Sequence, residues 1–467
     1  MADPGGVLGE IVARKKVDVA ARLSGFGPGE LRERAEPTRR SLKAALSRPG
    51  ARFVMEVKRA SPSKGVLRAG ADPARIARAY RSAADAISVL TDGPYFGGSL
   101  EDLEAVRREF SGPILAKDFI VDPRQVAEAR LHGADAVLVM LSVLEDEAAA
   151  AVMAEARLLG MDALVETHTE EEVRRALSLG ADIVGINNRR LKTLEVDLAV
   201  TERLAPLIPP GRLVIAESGI ESRADVERLA PHADAFLVGS SLMRATDPGL
   251  AAKALAFGRV KICGLTDPHD AEMAAERGAS YAGLVMVPNT PRAVTRRQAD
   301  AIAGAAGIPA VGVFRNEKLM EVALAAHDLR LAAVQLHGEE DAGYVRGLRS
   351  LLPRETEIWA VGAVGRDLPE TMPGADRTVF DTKVDGRSGG TGLTFDWTRV
   401  AARTDLGAAI LAGGLKPENV GRAARLGAFA LDVSSGVEMA PGRKDSARLH
   451  ALFEALRLPV RGEAASC

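Results

Sequence analysis

Five apolar stretches in the first half of the chain end in residues that can move protons or hold charge. Glu56-Val57-Lys58 sets a carboxylate and an ammonium two residues apart, and Lys117, Glu166, Asn187 (followed by Asn188-Arg189) and Glu217 come later. In extended backbone the period-2 alternation points Glu56 and Lys58 to the same side. A set of this kind suits general acid–base catalysis, in which a proton donor and an acceptor must reach one substrate. Ser218-Gly219 and Gly239-Ser240 close the last two stretches, and small residues there let backbone N–H groups approach an anion such as phosphate.

The second half repeats the layout with other chemistry. Lys261 and Cys263 share a face, and a nearby cation is expected to lower the thiol pKa and make thiolate available as base or nucleophile. Asp381 ends a later run, and the loop Ser388-Gly389-Gly390-Thr391-Gly392 can wrap an anion. Gly413-Gly414 and Ser434-Ser435-Gly436 make a second phosphate site by the reasoning used for the first. His337, in Gln335-Leu336-His337-Gly338, ends another run, where it reaches either substrate or a hydrogen-bond partner at the rim.

These residues need elements to place them. The first half carries apolar runs at Phe53–Val57, Ala86–Leu90, Ile114–Lys117, Ala136–Met140, Ala163–Glu166, Ile183–Asn187, Leu213–Glu217 and Ala235–Gly239. The second half carries Arg259–Cys263, Tyr281–Met286, Ala310–Phe314, Ala332–Leu336, Glu357–Val361, Thr378–Asp381, Ala409–Leu411 and Ala428–Asp432. Continuous apolar runs without alternation mark parallel strands buried on both faces. Helical stretches such as Pro73–Ala84, Asp122–His132, Thr169–Leu179 and Lys416–Leu426 lie between them. Asp72-Pro73 and Asp122-Pro123 read as starts with Pro at the first helical position, and Gly133, Gly180 and Gly427 as left-handed stops.

Near-equal βα units in each half predict two tandem (β/α)8 TIM barrels, the rival being a pair of open doubly wound sheets. The first barrel domain is assigned to residues 1–257, with 1–50 forming one or two extra helices, and the second to 258–467, with a frayed tail from Gly462. Active sites of such barrels lie at the carboxyl ends of the strands, where the charged residues collect.

Composition narrows the function classes. The 467 residues hold 63 acidic and 61 basic side chains, a formal charge of -2, which removes an electrostatic case for nucleic acid or an anionic membrane. Aromatic content of 4% disfavours base-stacking platforms. The two cysteines, Cys263 and Cys467, form no disulfide framework, and the start has no apolar leader with a cleavage site, so a cytoplasmic location is expected. The seven histidines show no ligand spacing and no HExxH, so no metal is expected. No GxxxxGK[ST] loop or GxSxG elbow occurs. With no apolar surface stripe evident, a monomer is the expected state.

The motifs then carry a specific likeness. Glu56-Val57-Lys58-Arg59-Ala60-Ser61-Pro62-Ser63-Lys64-Gly65, Leu115-Ala116-Lys117-Asp118-Phe119, Gly185-Ile186-Asn187-Asn188-Arg189 and Ala216-Glu217-Ser218-Gly219-Ile220 resemble indole-3-glycerol phosphate synthase. Lys261-Ile262-Cys263-Gly264, Pro288-Asn289-Thr290-Pro291-Arg292, Val334-Gln335-Leu336-His337-Gly338 and Asp432-Val433-Ser434-Ser435-Gly436-Val437-Glu438 resemble phosphoribosylanthranilate isomerase. The order is similar to that of the fused bifunctional tryptophan-biosynthesis enzymes of some bacteria. Met286 and Thr290 depart from the isomerase pattern, which usually has an aromatic residue and Ser, and so does Arg443.

The resemblance implies two phosphorylated small-molecule substrates and no cofactor. It makes Asp381 the acid and Cys263 the base of an Amadori rearrangement, and Arg292 the partner of the anthranilate carboxylate. It makes Lys117 the acid that polarises the C2′ carbonyl in indole-ring closure, with Glu56, Lys58, Glu166 and Glu217 sharing later proton transfers. Asn187, Arg189 and Ser218 would orient substrate, with Ser61 and Phe119 as further contacts. Lys58, Gly219, Gly239 and Ser240 would hold one phosphate; Gly390, Gly413, Gly414, Ser434 and Ser435 would hold the other, beside Gln335 and His337. Two rivals are one working barrel beside a structural one, and a related sugar-phosphate enzyme of the histidine type. That enzyme would carry Asp where Cys263 stands.

Overall fold

The apolar runs become parallel strands that close on themselves. The computed structural model describes residues 6–62, 65–190, 193–364, 368–384, 387–388 and 396–463. In the first half these are β1 (Arg52–Val57), β2 (Ala86–Leu90), β3 (Ile114–Lys117), β4 (Ala136–Met140), β5 (Asp162–Thr167), β6 (Ile183–Asn187), β7 (Leu213–Glu217) and β8 (Ala235–Val238). The first strand pairs with both its successor and the last one, Val54 opposite Ala86 and Leu237, which an open sheet does not do.

The second half forms β9 (Val260–Cys263), β10 (Tyr281–Val285), β11 (Ala310–Phe314), β12 (Ala333–Leu336), β13 (Glu357–Val364), β14 (Arg377–Val384), β15 (Ile410–Leu411) and β16 (Ala430–Val433). It closes through β9 against β16 and β13 against β14. β13 and β14 run longer than their apolar runs because they pair from Trp359↔Arg377 to Val364↔Thr382, so backbone bonding continues past the apolar stretch. β15 is the shortest, ending before Gly413 and Gly414, whose φ values of 84° and 61° leave the extended region.

By contacts the chain divides into two units, Met1–Ala256 with Leu458–Cys467, and Phe257–Arg457. In the first, the rings of Phe53 and Phe236 lie 5.7 Å apart on paired strands, on the face opposite the cavity-lining Glu56 and Leu237. In the second, Trp359 fills the core among the small and branched residues Val311, Ala333, Val379, Ile410 and Ala430, with Tyr281 edge-on at 5.4 Å. Asp135, fully buried where β4 begins, is paired with Arg107 at 2.6 Å and Arg130 at 2.9 Å, as a buried carboxylate requires. Residues after Leu458 belong to the first unit: Ala51 N–H donates to the Leu458 carbonyl at 2.8 Å, and Gly50 N–H to the Glu463 carboxylate at 3.1 Å.

Local signals act where they were read. Asp72 accepts from Ala74 N–H at 3.0 Å with Pro73 in the first turn. The next such helix starts one residue later than expected, at Arg124, although Pro123 already has helical φ of -55°. The segment before β1 holds three helices rather than one or two: α1 (Gly6–Arg22), α2 (Glu30–Arg34) and α3 (Leu42–Leu46). Short polar and glycine-containing stretches between them, such as Gly25 to Gly29, break what looked like longer helical patterns. No helix among the described residues is long and apolar enough to cross a membrane.

Candidate functional site

In the first barrel the strand ends converge on one cavity of about 190 Å³. Glu56, Lys58, Lys117, Glu166, Asn187 and Glu217 line it, and so do Ser61, Phe119, Arg189, Ser218, Gly219, Gly239 and Ser240. Lys58 pairs with Glu56. Lys117 Nζ sits 2.6 Å from Glu217 Oε2 and 3.4 Å from Glu166 Oε2, one ammonium between two carboxylates. Burial opposes its charge, but Glu217, Glu166 and Glu56 outweigh that and hold its pKa above the ordinary lysine value.

The carboxylates separate. Burial, helped by Glu166 and opposed by Lys117, pushes Glu217 up to about 7. Glu166 feels the same burial, yet Lys117 and His168 bring it below the usual carboxylate range. Two neighbouring carboxyl groups with different affinities thus sit on one lysine, the arrangement that divides acid from base roles. Glycine makes the room: a Cβ at Gly239 would lie 2.2 Å from Glu56 Oε2. Ser218 adopts φ 66°, a conformation costly for a side-chain-bearing residue, and it lies at the site.

His168 was not singled out in the sequence, although it follows Glu166 by two residues and so shares its face. Its Nε2 is 3.5 Å from Glu166 Oε1 and its Nδ1 3.3 Å from Glu172. Burial lowers its pKa, but Glu172 and Glu166 reverse this and raise it.

The extension supplies an apolar wall. Leu8 and Ile11 of α1 line the cavity with Phe96, Phe119 and Leu138. The helix is anchored by Lys15, buried at 5% exposure, whose Nζ contacts Asp92 at 2.8 Å and Asp118 at 2.7 Å after β2 and β3. Lys15→Met leaves both carboxylates buried without their cation. Urea unfolding should show a loss of about 3 kcal/mol, and the apolar wall should loosen. Unchanged stability would show that the clamp is not needed.

In the second barrel Cys263 ends β9 beside Lys261, as its spacing requires. The expected lowering of its pKa is not found. Burial raises the thiol above its usual value, the Lys261 ammonium only partly opposes this, and Asp432 adds to the rise. The cation is shared: Lys261 Nζ lies 2.8 Å from Asp432 Oδ2. Asp381 is 6% exposed, and burial with help from Asp432 pushes it up to about 6, against a Thr382 N–H bond and Lys261. His337 Nε2 stands 3.7 Å from Asp381 Oδ2, and its Nδ1 3.4 Å from Gln335 Nε2.

The small residues gather around these groups. A Cβ at Gly413 would meet Asp381 Oδ1 at 3.1 Å, and Ser434 Oγ donates to the Cys263 carbonyl at 3.2 Å. Gly414 and Ser435 line a separate cavity of about 370 Å³ with Lys416 and Arg448. Gly390 lies outside the described residues. The Arg292 fork is engaged by the Glu438 carboxylate, Nε at 2.9 Å and Nη2 at 2.6 Å.

Fold and sites define a class: a pair of (β/α)8 barrels, each with an acid–base set at the carboxyl rim of its strands. Residues 8–255 match the family model of indole-3-glycerol phosphate synthase, and residues 260–455 that of N-(5'phosphoribosyl)anthranilate (PRA) isomerase. A Vibrio cholerae protein, "Tryptophan biosynthesis protein TrpCF", is 47% identical over 419 residues, covering 90% of this chain and 89% of its own length. Proteins of the same name from Yersinia pestis and Salmonella typhi are each 44% identical across 97% of this chain, covering 94% and 99% of their own. The chain belongs to the TrpCF family of bifunctional tryptophan-biosynthesis enzymes.

Proposed function

We propose a division of labour between the two rims. At the second, Asp381 protonates the ribose ring oxygen of N-(5-phosphoribosyl)anthranilate, the ring opens, and Cys263 removes the C2′ proton. The resulting enol tautomerises to 1-(2-carboxyphenylamino)-1-deoxyribulose 5-phosphate. The observation that carries the acid assignment is the buried Asp381 carboxyl, whose pKa of about 6 is far above that of an exposed aspartate. Cys263 is supported as base by its place at the end of β9 next to the Lys261 ammonium, which favours thiolate. Gly413, Gly414, Ser434 and Ser435 are the phosphate contacts at the usual barrel position, beside Gln335 and His337.

At the first rim that product closes its indole ring and loses carbon dioxide and water. Lys117 donates a hydrogen bond to the C2′ carbonyl oxygen as the aromatic carbon attacks, and its ammonium between two carboxylates supports this role. Glu217 and Glu166, with Glu56 and Lys58, exchange the later protons; the separation of the two carboxyl pKa values supports that division. The aryl ring lies against Leu8, Ile11, Phe96 and Phe119, an apolar wall opposite the charged cluster. Asn187, Arg189, Ser218 and Ser61 orient the chain of the sugar, and Lys58, Gly219, Gly239 and Ser240 hold its phosphate. The enzyme works as a cytoplasmic monomer without a cofactor.

Purified protein given phosphoribosylanthranilate, generated in place from anthranilate, should consume it and release indole-glycerol phosphate. Failure to consume it would reject the isomerase site, and accumulation of the ribulose phosphate the synthase site. Arg292→Ala should raise the isomerase KM about 30-fold with a smaller change in kcat, because a charged bond to the substrate carboxylate is lost. Steady-state kinetics with an unchanged KM would remove Arg292 from the substrate.

A further inference from the structure

Beyond β16 the chain makes a turn at Ser435–Val437 and a hairpin, Glu438–Ala440 against Arg443–Lys444. Neither Glu438 nor Lys444 has a part in the chemistry above, yet both are buried, at 6% and 2% exposure. Lys444 Nζ donates to the Cys263 carbonyl at 2.6 Å, to Glu438 Oε1 at 2.8 Å and to the Ser434 carbonyl at 3.4 Å. Glu438 in turn holds Arg292 by Nε and Nη2, and among the described residues nothing engages Nη1. One ammonium therefore touches the strand end bearing the thiol and the serine of the phosphate loop, and reaches the guanidinium through a carboxylate.

The hairpin itself is fixed from outside this contact. Lys444 N–H donates to Asp270 Oδ2 at 2.8 Å, and the Thr266 hydroxyl donates to the Gly442 carbonyl at 2.6 Å. Barrel closure does not require a buried charge here, since well-packed apolar residues of similar volume generally serve stability as well as a buried ion pair. Arg292 is long and its side chain is 17% exposed, and its aliphatic stem passes over Gly264, where a Cβ would come within 2.4 Å of Arg292 Cδ. Without Glu438 the fork has several rotamers to choose from; with it, one edge is tied and the other is left for a ligand.

We propose that Lys444, acting through Glu438, is a positioning residue that presets Arg292 for the carboxylate of the isomerase substrate. Its bond to the Cys263 carbonyl holds the rim of β9 in the same register. This rests on the reading of Arg292 as the carboxylate contact.

The test uses the full chain, with Lys444→Met, Glu438→Gln and Arg292→Ala made singly and Lys444→Met also combined with Arg292→Ala. Lys444→Met should raise the isomerase KM about tenfold with kcat changed less, and should add nothing to the KM of Arg292→Ala. Synthase turnover, assayed separately on the ribulose phosphate, should stay unchanged, and the retained isomerase kcat reports that the second barrel of each variant is folded. If Lys444→Met misfolds, Glu438→Gln, which keeps the shape of the side chain, should give the same rise in KM. A KM unaffected in both variants, or an effect that adds to that of Arg292→Ala, overturns the proposal. An unchanged KM in Arg292→Ala overturns the carboxylate reading and the proposal with it.

Discussion

Lys117→Ala should lower synthase turnover by about a thousandfold while isomerase turnover stays as it was, so that ribulose phosphate accumulates from phosphoribosylanthranilate. Two losses combine. The donor to the C2′ carbonyl disappears, and Glu166 and Glu217 are left facing each other without the ammonium that lies 3.4 and 2.6 Å away. Two buried carboxylates without a cation share a proton, which removes the separation between the one held below its usual range and the one raised to about 7. Stopped assays that quantify the ribulose phosphate and indole-glycerol phosphate together would check this. A synthase rate within a few-fold of wild type would show that the ring closure takes its proton from elsewhere. Loss of both activities would mean that the substitution damages more than the first rim.

Much of this site was legible because strand parity and barrel topology are short-range rules. Glu56, Lys117, Glu166, Asn187 and Glu217 each end an apolar run, and a closed parallel ring brings all such ends to one mouth. The same rule reached Cys263 and Asp381, but not the sign of the thiol's response. Adjacency to Lys261 says that a cation is near; whether burial or the cation prevails depends on how Asp432, far along the chain, divides that cation's charge. His168 could have been found by extending parity two residues past Glu166. Lys15 could not, because a lysine on an amphipathic helix reads as a surface residue until Asp92 and Asp118 are seen to enclose it.

Long-range pairing hid the rest. Arg292 and Glu438 are separated by 146 residues, and the motif around each reads naturally as a substrate loop and a turn. The lengths of β13 and β14 depended on backbone bonds to each other rather than on their own apolar content. The three-helix extension differed from the expected one or two because glycine and polar residues between Arg22 and Leu42 break the pattern in a stretch too short to judge by periodicity.

The isomerase rim should show an unusual pH profile. An acid must be protonated and a base deprotonated in the same molecule, yet Asp381 ionises near 6 while the Cys263 thiol ionises above its ordinary range. The reactive form, carboxylic acid with thiolate, is therefore the minor one at every pH. Below about pH 6 Asp381 is already protonated, and raising the pH only generates more thiolate, so activity rises. Between the two pKa values each gain in thiolate is cancelled by an equal loss of the acid, and kcat/KM is flat. Above the thiol pKa the base is saturated while the acid continues to vanish, and activity falls. Asp381→Asn should cost about a thousandfold in kcat/KM and abolish the acidic break near 6, leaving residual activity that tracks thiolate alone and climbs through neutrality. A substrate phosphate ionising in the same range would produce a break that survives the substitution, so the comparison separates the two sources. A kcat/KM within a few-fold of wild type in Asp381→Asn, measured across the same pH range, would show that the ring oxygen receives its proton from another group.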